Sequence, residues 1–320
     1  MNNPWKEILP PKDDISARLI DYTHPLGLYW ARDHFGKYLF ICETDENRVV
    51  KSTDIPNLAG IVAGFVTLNG KTRLLLALNE QSNWEIFHAL CSDIVEATRK
   101  ADAGVMAFTI ILRRLNRWHD FLKKIKSTIL SEEQIKGLIG ELLFIKNHLV
   151  SVFGYVDAVN FWVGPEDSPQ DFNINDTAIE VKCQAGTTQP YVKISSVEQL
   201  TPQLPNMFLY VVTLGKTTLD NQDAINLPSL IRQIRRELEL SSPQQAERFS
   251  DLIYGLGYVD SEKYLNSNYI FTEDVMFEVV GDFPRIDAQN IHEGISNLRY
   301  NINLSDCSPY EKWPKWLEKK

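Results

Sequence analysis

Apolar and polar positions alternate differently along the chain, and the change of period divides it. Between Leu19 and Leu78 short apolar runs of strand length follow one another, at Tyr38–Cys42, Ile61–Thr67 and Arg73–Leu78. Asn69-Gly70 joins the last two, a strong hairpin signal. This pattern predicts an antiparallel sheet, preceded by a loose arm over residues 1–16 that carries Pro4, Pro10 and Pro11. From Trp84 to Ala103 the period becomes helical, with Ile86, Leu90, Ile94 and Val95 on one stripe. A helical bridge follows from Gly104 to Leu130. It holds Arg113, Arg114, Arg117, Lys123, Lys124 and Lys126 against one acid, Asp120. Such a stretch either contacts phosphates or is an ordinary solvated face.

The next helix opens with the capping box Ser131-x-x-Gln134 and buries Leu138, Leu142, Ile145 and Leu149. Gly137 and Gly140 lie inside it, each costing about 1 kcal/mol against alanine. Their spacing suggests close approach to another element. Further strands are predicted at Tyr191–Ile194 and Met207–Thr213, which complete one sheet with the strands around residues 172–181, and at Tyr269–Thr272, Val275–Val280 and Leu298–Leu304. A short helix is predicted from Val197, with longer ones over Leu227–Leu240 and Pro243–Leu256. The last two helices with the paired strands after them fit a winged-helix-like DNA reader or a cap on the core.

Gln170 to Gln184 carries the candidate chemistry. Phe172, Ile174, Ile179 and Val181 are strand formers around Asn175-Asp176, which tolerates a tight turn. With those two as the loop, Asp171 falls opposite Glu180, and Lys182 and Gln184 follow on the same face by alternation. Opposed carboxylates repel. A divalent cation between them would turn that repulsion into binding, since Mg²⁺ takes one or two carboxylates with waters and phosphate oxygens. Lys182 could then steady charge developing on a phosphorane or position the attacking water, and Gln184 could hold a water or a phosphate oxygen. The competing view is a solvated hairpin face with a Glu–Lys pair of little consequence.

Composition narrows the partners. A net charge of −9 is not the footprint of a nonspecific nucleic-acid binder, so DNA contact would need a local basic groove or a partner. Cys42, Cys91, Cys183 and Cys307 are far apart without CxxC spacing, which argues against a zinc site. A polar start and the lack of an apolar run of membrane-spanning length lead us to expect a cytoplasmic chain with reduced cysteines and no membrane association. His24, His34 and His88 are scattered and read as structural or surface residues. No Walker A motif is present.

Taken together, Gly137-x-x-Gly140-Glu141, Phe161-Trp162-x-Gly164-Pro165, Asp171-Phe172 and Ile179-Glu180-Val181-Lys182 resemble the PD-(D/E)XK nuclease superfamily. They resemble more closely a bacterial group associated with restriction and phage-defence loci. Trp118 with His119-Asp120-Phe121-Leu122, and Gly281-Asp282-Phe283-Pro284-Arg285, extend the likeness over nearly the whole chain. One departure is Gln170, which stands where the motif has proline, with Pro169 one place earlier.

The resemblance implies an α+β (α/β) fold with a restriction-endonuclease-like mixed sheet flanked by helices. It implies Mg²⁺-dependent hydrolysis of DNA, with Mn²⁺ as a substitute. Asp171 and Glu180 would be metal ligands, Glu141 an acid from the first helix that joins them, and Lys182 the catalytic lysine. We expect a β-rich N-terminal domain over residues 1–128, for recognition or assembly, and a nuclease-like domain over 129–320. Other defence-system proteins are expected partners. The alternative is a non-catalytic DNA- or protein-binding subunit that keeps the fold.

Overall fold

A computed structural model describes residues 2–44, 55–68, 71–101, 105–124, 130–186 and 190–317. The chain divides into two compact units. One comprises the residues before 130 with Gly257–Ser261, and the other comprises Leu130–Leu256 with the chain from Glu262 onward.

The first unit is an antiparallel sheet and two helices. Its strands are β1 (Ile15–Leu19), β2 (Gly27–Asp33), β3 (Tyr38–Thr44), β4 (Ile61–Leu68) and β5 (Lys71–Leu78), in spatial order β1-β2-β3-β5-β4. Leu68 pairs with Lys71, so β4 and β5 form the expected hairpin; Asn69-Gly70 itself lies outside the described residues. Strand β5 alternates between buried and half-buried positions, as a strand with one covered face must. The helices are α1 (Trp84–Thr98), which stops short of Ala103, and α2 (Val105–Lys124).

One expectation fails here. The N-terminal segment is not loose: Trp5 is fully buried, its ring stacks on Tyr38 and Phe87, and its Nε1 donates to Leu39 O at 2.8 Å. An indole beside three prolines out-competes chain entropy because it fills a core site and satisfies its one donor. In the basic bridge, one of the six basic residues serves packing. Arg114 is buried against Asp93, which also accepts from Trp118 Nε1 at 3.0 Å. Lys126 lies outside the described residues.

The second unit is built on α3 (Glu132–Phe144), a single π-helical turn (Ile145–Leu149) and α4 (Val150–Asn160). By length and composition this run could cross a membrane. Here Leu138, Leu142, Ile145 and Leu149 are buried in the core, and Gly154 breaks the helix with φ 75°. The central sheet contains β6 (Phe172–Ile174), β7 (Thr177–Ala185), β9 (Asn206–Thr217) and β10 (Asn268–Glu278), in order β10-β9-β7-β6. Strands β7 and β9 are parallel and the other pairs antiparallel, which makes the sheet mixed. The fold class is α+β, as expected.

Strand membership differs from expectation in two places. Strand β8 (Tyr191–Ile194) pairs with β11 (Tyr300–Asn303) in a separate two-stranded sheet instead of joining the central one. Tyr269–Thr272 and Val275–Val280 are not a ribbon: all but Val279 and Val280 belong to one strand, β10, which carries a bulge between Phe271 and Glu273. The bulge absorbs the polar Glu273-Asp274 pair that resembled a turn. Helices α5 (Leu227–Ser241) and α6 (Pro243–Gly255) pack on each other and on α4, and α5 also on α3. They cap the core, and no winged helix forms. Asp274 on β10 meets His148 Nε2 at 2.6 Å and accepts from Tyr210 Oη at 2.8 Å, tying β10 and β9 to the π turn.

Candidate active site

The hairpin forms in the expected register. Phe172 pairs with Ile179, Asn173 with Ala178 and Ile174 with Thr177, leaving Asn175-Asp176 as the loop. Asn175 takes φ 54°, the left-handed geometry asparagine tolerates. Phe172, Ile174 and Ile179 are fully buried, and Phe144 of α3 packs on Phe172 with ring centroids 5.0 Å apart. Ala178 packs on the opposite face among Leu209, Val211, Val192 and Ile194. Glu180 and Lys182 share its parity and so its face.

Asp171 immediately precedes β6. Its carboxylate meets the edge of β7, where Oδ2 accepts from Val181 N at 2.8 Å. That N–H would have continued the ladder had β6 been longer. Two neighbouring N–H groups, of Val163 and Gly164, donate to Asp171 O at 2.9 and 3.0 Å. A Cβ on Gly164 would lie 2.8 Å from Asp171 Oδ1, so only glycine leaves that oxygen its space.

Helix α3 delivers Glu141 from the other side. The capping box closes as expected, Gln134 N donating to Ser131 Oγ at 3.2 Å and Ser131 N to Gln134 Oε1 at 2.9 Å. A Cβ on Gly140 would overlap Cys183 Sγ and lie 3.0 Å from Val212 Cγ1, so this glycine is where helix and sheet touch. Gly137 has open space beside it and no such duty. Glu141 follows Gly140, and its Oε2 accepts from Trp162 Nε1 at 2.7 Å.

The charges are crowded. Glu180 is 1% exposed and its Oε1 accepts from Lys182 Nζ at 2.6 Å, while its Oε2 is buried without a partner. Burial, then the charge of Asp171, holds the Glu180 carboxyl well above its usual range. The same two causes raise Glu141. Asp171 is raised by burial although Lys182 and the Val181 N–H pull the other way. Burial works against the Lys182 ammonium, yet Glu180, Asp171 and Glu141 outweigh it and leave its pKa raised. Cys183, beneath Gly140, is pushed up to about 12 mainly by burial, which makes it a packing thiol and no nucleophile. Gln184 donates from Nε2 to Thr213 Oγ1 at 2.8 Å, one turn of the pleat beyond Lys182.

The structure thus brings Glu141, Asp171, Glu180 and Lys182 into one electrostatic cluster around the edge of β7, with Gln184 farther along the strand. Sequence reasoning missed three contributors to this arrangement. Trp162 orients Glu141, Gly164 makes room for Asp171, and Gln199 Oε1 accepts from Lys182 Nζ at 3.1 Å. Trp162 and Gly164 both stand in the Phe161-Trp162-x-Gly164-Pro165 pattern, which gave neither a role, and Gln199 left no trace.

The donor set suits a hard divalent cation, which takes oxygen ligands. Among the described residues, each carboxylate has one oxygen anchored by the protein. The orphaned Glu180 Oε2 is the atom a metal would satisfy. As they stand, no three His, Cys, Asp or Glu side chains among the described residues are grouped closely enough to hold an ion. A loaded site would therefore need side-chain adjustment around the anchored oxygens.

A mixed sheet flanked by helices, with an Asp…Glu-x-Lys hairpin at its edge, defines a nuclease-like α+β core. Over residues 1–305 the chain matches the family described as "Putative PD-(D/E)XK family member, (DUF4420)", and it belongs to that family. Comparison with curated proteins and with solved structures finds no match to either.

Proposed function

We propose that the protein is a divalent-metal-dependent deoxyribonuclease. Asp171 and Glu180, joined by Glu141, would hold Mg²⁺ or Mn²⁺. The metal would supply a positive centre that polarises the phosphate and lowers the pKa of a bound water. The observation that carries the reading is the buried, partnerless Oε2 of Glu180 beside Asp171, Glu141 and the raised ammonium of Lys182. A buried unpaired carboxylate oxygen costs stability unless something satisfies it. In this reading Lys182 keeps its proton and places positive charge where the phosphoryl oxygens gather charge in the transition state. Gln184 would hold a phosphate oxygen or a water. A setting in restriction or phage defence with other defence proteins belongs to the same proposal and rests on the family resemblance, and a cytoplasmic location is proposed with it on composition.

The test is cleavage of supercoiled plasmid by wild type, Asp171→Ala and Lys182→Ala, each with Mg²⁺, Mn²⁺ or EDTA. The expected result is metal-dependent nicking by wild type that both substitutions abolish in folded protein. Nicking by either variant at the wild-type rate would show that the site is misassigned. A second reading, a non-catalytic DNA- or protein-binding subunit, is favoured by the spacing of the carboxylates, which as they stand are not grouped for an ion. It predicts DNA or protein binding with no cleavage under any metal.

A further inference from the structure

We infer that Gln199 is a positioning residue for Lys182, and that Gln170 fixes the turn carrying it. This deepens the nuclease reading and rests on it for its catalytic meaning. A lysine ammonium has three donors on a flexible stem, so its aim must come from its surroundings. Two of the three are assigned here: Glu180 Oε1 at 2.6 Å and Gln199 Oε1 at 3.1 Å. No third partner is found among the described residues, so one N–H is left for a phosphate oxygen or a water.

The two acceptors do different things. Glu180 supplies charge but sits only two residues away on the same strand, and one contact leaves the ammonium free to swing. Gln199 comes from outside the sheet and adds a second, neutral point of attachment. Its own oxygen is fixed, since Ser195 N donates to the same Oε1 at 2.8 Å. The 3₁₀ turn Val197–Leu200 that carries it is pinned on both sides. Gln170, 1% exposed, donates from Nε2 to Glu198 O at 2.8 Å and to Thr201 O at 3.2 Å. Arg285 Nη1 donates to Leu200 O at 2.8 Å. Gln170 Oε1 is itself buried without a partner, so this amide is costly as mere filling. Its donor side is what the fold uses. Gln170 immediately precedes Asp171, so one dipeptide sets both the carboxylate and, through the turn, the lysine.

The experiment reads Lys182 directly, by NMR of the side-chain ammonium in the full-length protein labelled with ¹⁵N-lysine, the signal being assigned by its loss in Lys182→Arg. In wild type the Lys182 ammonium should be ordered and slow to exchange. Gln199→Met, of similar size without an acceptor, should lose that signal. Gln199→Glu, which keeps an oxygen at the same reach, should restore it. Gln170→Met should weaken it if it folds, and the Gln199 pair decides the matter if it does not. An unchanged ammonium signal in Gln199→Met would overturn the inference whatever the enzyme does. In plasmid cleavage, Gln199→Met should lower kcat about 10- to 100-fold, with KM changed less than about twofold, as expected for a small misplacement of a reacting group. Gln199→Glu should recover most of the rate. A wild type that cleaves nothing would defeat the nuclease reading, while the NMR comparison would still decide whether Gln199 orders Lys182.

Discussion

At the scale of single residues, the candidate site is a place where burial and like charge work against ionisation. Glu141 illustrates the consequence. Its carboxyl is raised above the ordinary value near 4.3, so around and above that pH the folded state holds a proton the unfolded chain has released. Stability contributed by that proton is present at acid pH and is lost as pH rises through the folded value. Glu141→Gln keeps an acceptor for Trp162 and removes the charge. In EDTA, its denaturant midpoint should match wild type near pH 4.5 and exceed it at pH 8. Equal midpoints at both pH values would mean that the Glu141 charge is not under strain. The hairpin residues were legible in the sequence because alternation and a two-residue turn fix register locally. The roles of Trp162 and Gln199 were not, because each reaches its partner across the fold; the motif that holds Trp162 does not point to Glu141, and Gln199 sits in no motif.

Among elements, the contact of α3 with β7 depends on one glycine of two. Gly140→Ala must displace Cys183 or the helix and should cost about 1–3 kcal/mol, the range for overpacking a close-packed core. Gly137→Ala meets open space inside a helix and should gain about 0.5–1 kcal/mol from propensity and reduced unfolded-state freedom. Chemical denaturation of the two variants should give shifts of opposite sign. Shifts of the same sign would contradict the placement of α3 on the sheet. Sequence spacing marked both glycines for close approach and could not tell them apart, since only the neighbouring strand decides which is crowded. The same limit explains the strands. The apolar run of β8 was recognised as a strand, but its pairing with β11, more than a hundred residues on, is non-local. The bulge in β10 hid a single strand behind two polar residues.

For the molecule as a whole, the burial of Trp5 shows how far the N-terminal segment is integrated into the first unit. Trp5→Ala should destabilise that unit by about 3–5 kcal/mol, read by denaturation, because a fully buried indole, its stacking partners and its hydrogen bond are lost together. A cost below about 1 kcal/mol would return the segment to the status of a loose arm. The fold class was legible in the order of elements, and family membership over residues 1–305 agrees with motifs spread along the chain. The role of the first unit was not legible, because its buried Arg114 and Trp118 meet the half-buried Asp93 in packing and its sheet presents no cluster of reactive groups among the described residues.

The central claim is that the carboxylates gathered at the edge of β7 are a divalent-metal site. Titration calorimetry of Mn²⁺ into metal-free wild type, Asp171→Ala and Glu180→Gln tests it without assuming a substrate. The account predicts saturable binding to wild type that releases protons, since raised carboxyls must give them up to bind metal, and its loss in both variants. Equal binding by wild type and both variants, or none by wild type at millimolar Mn²⁺, would contradict it.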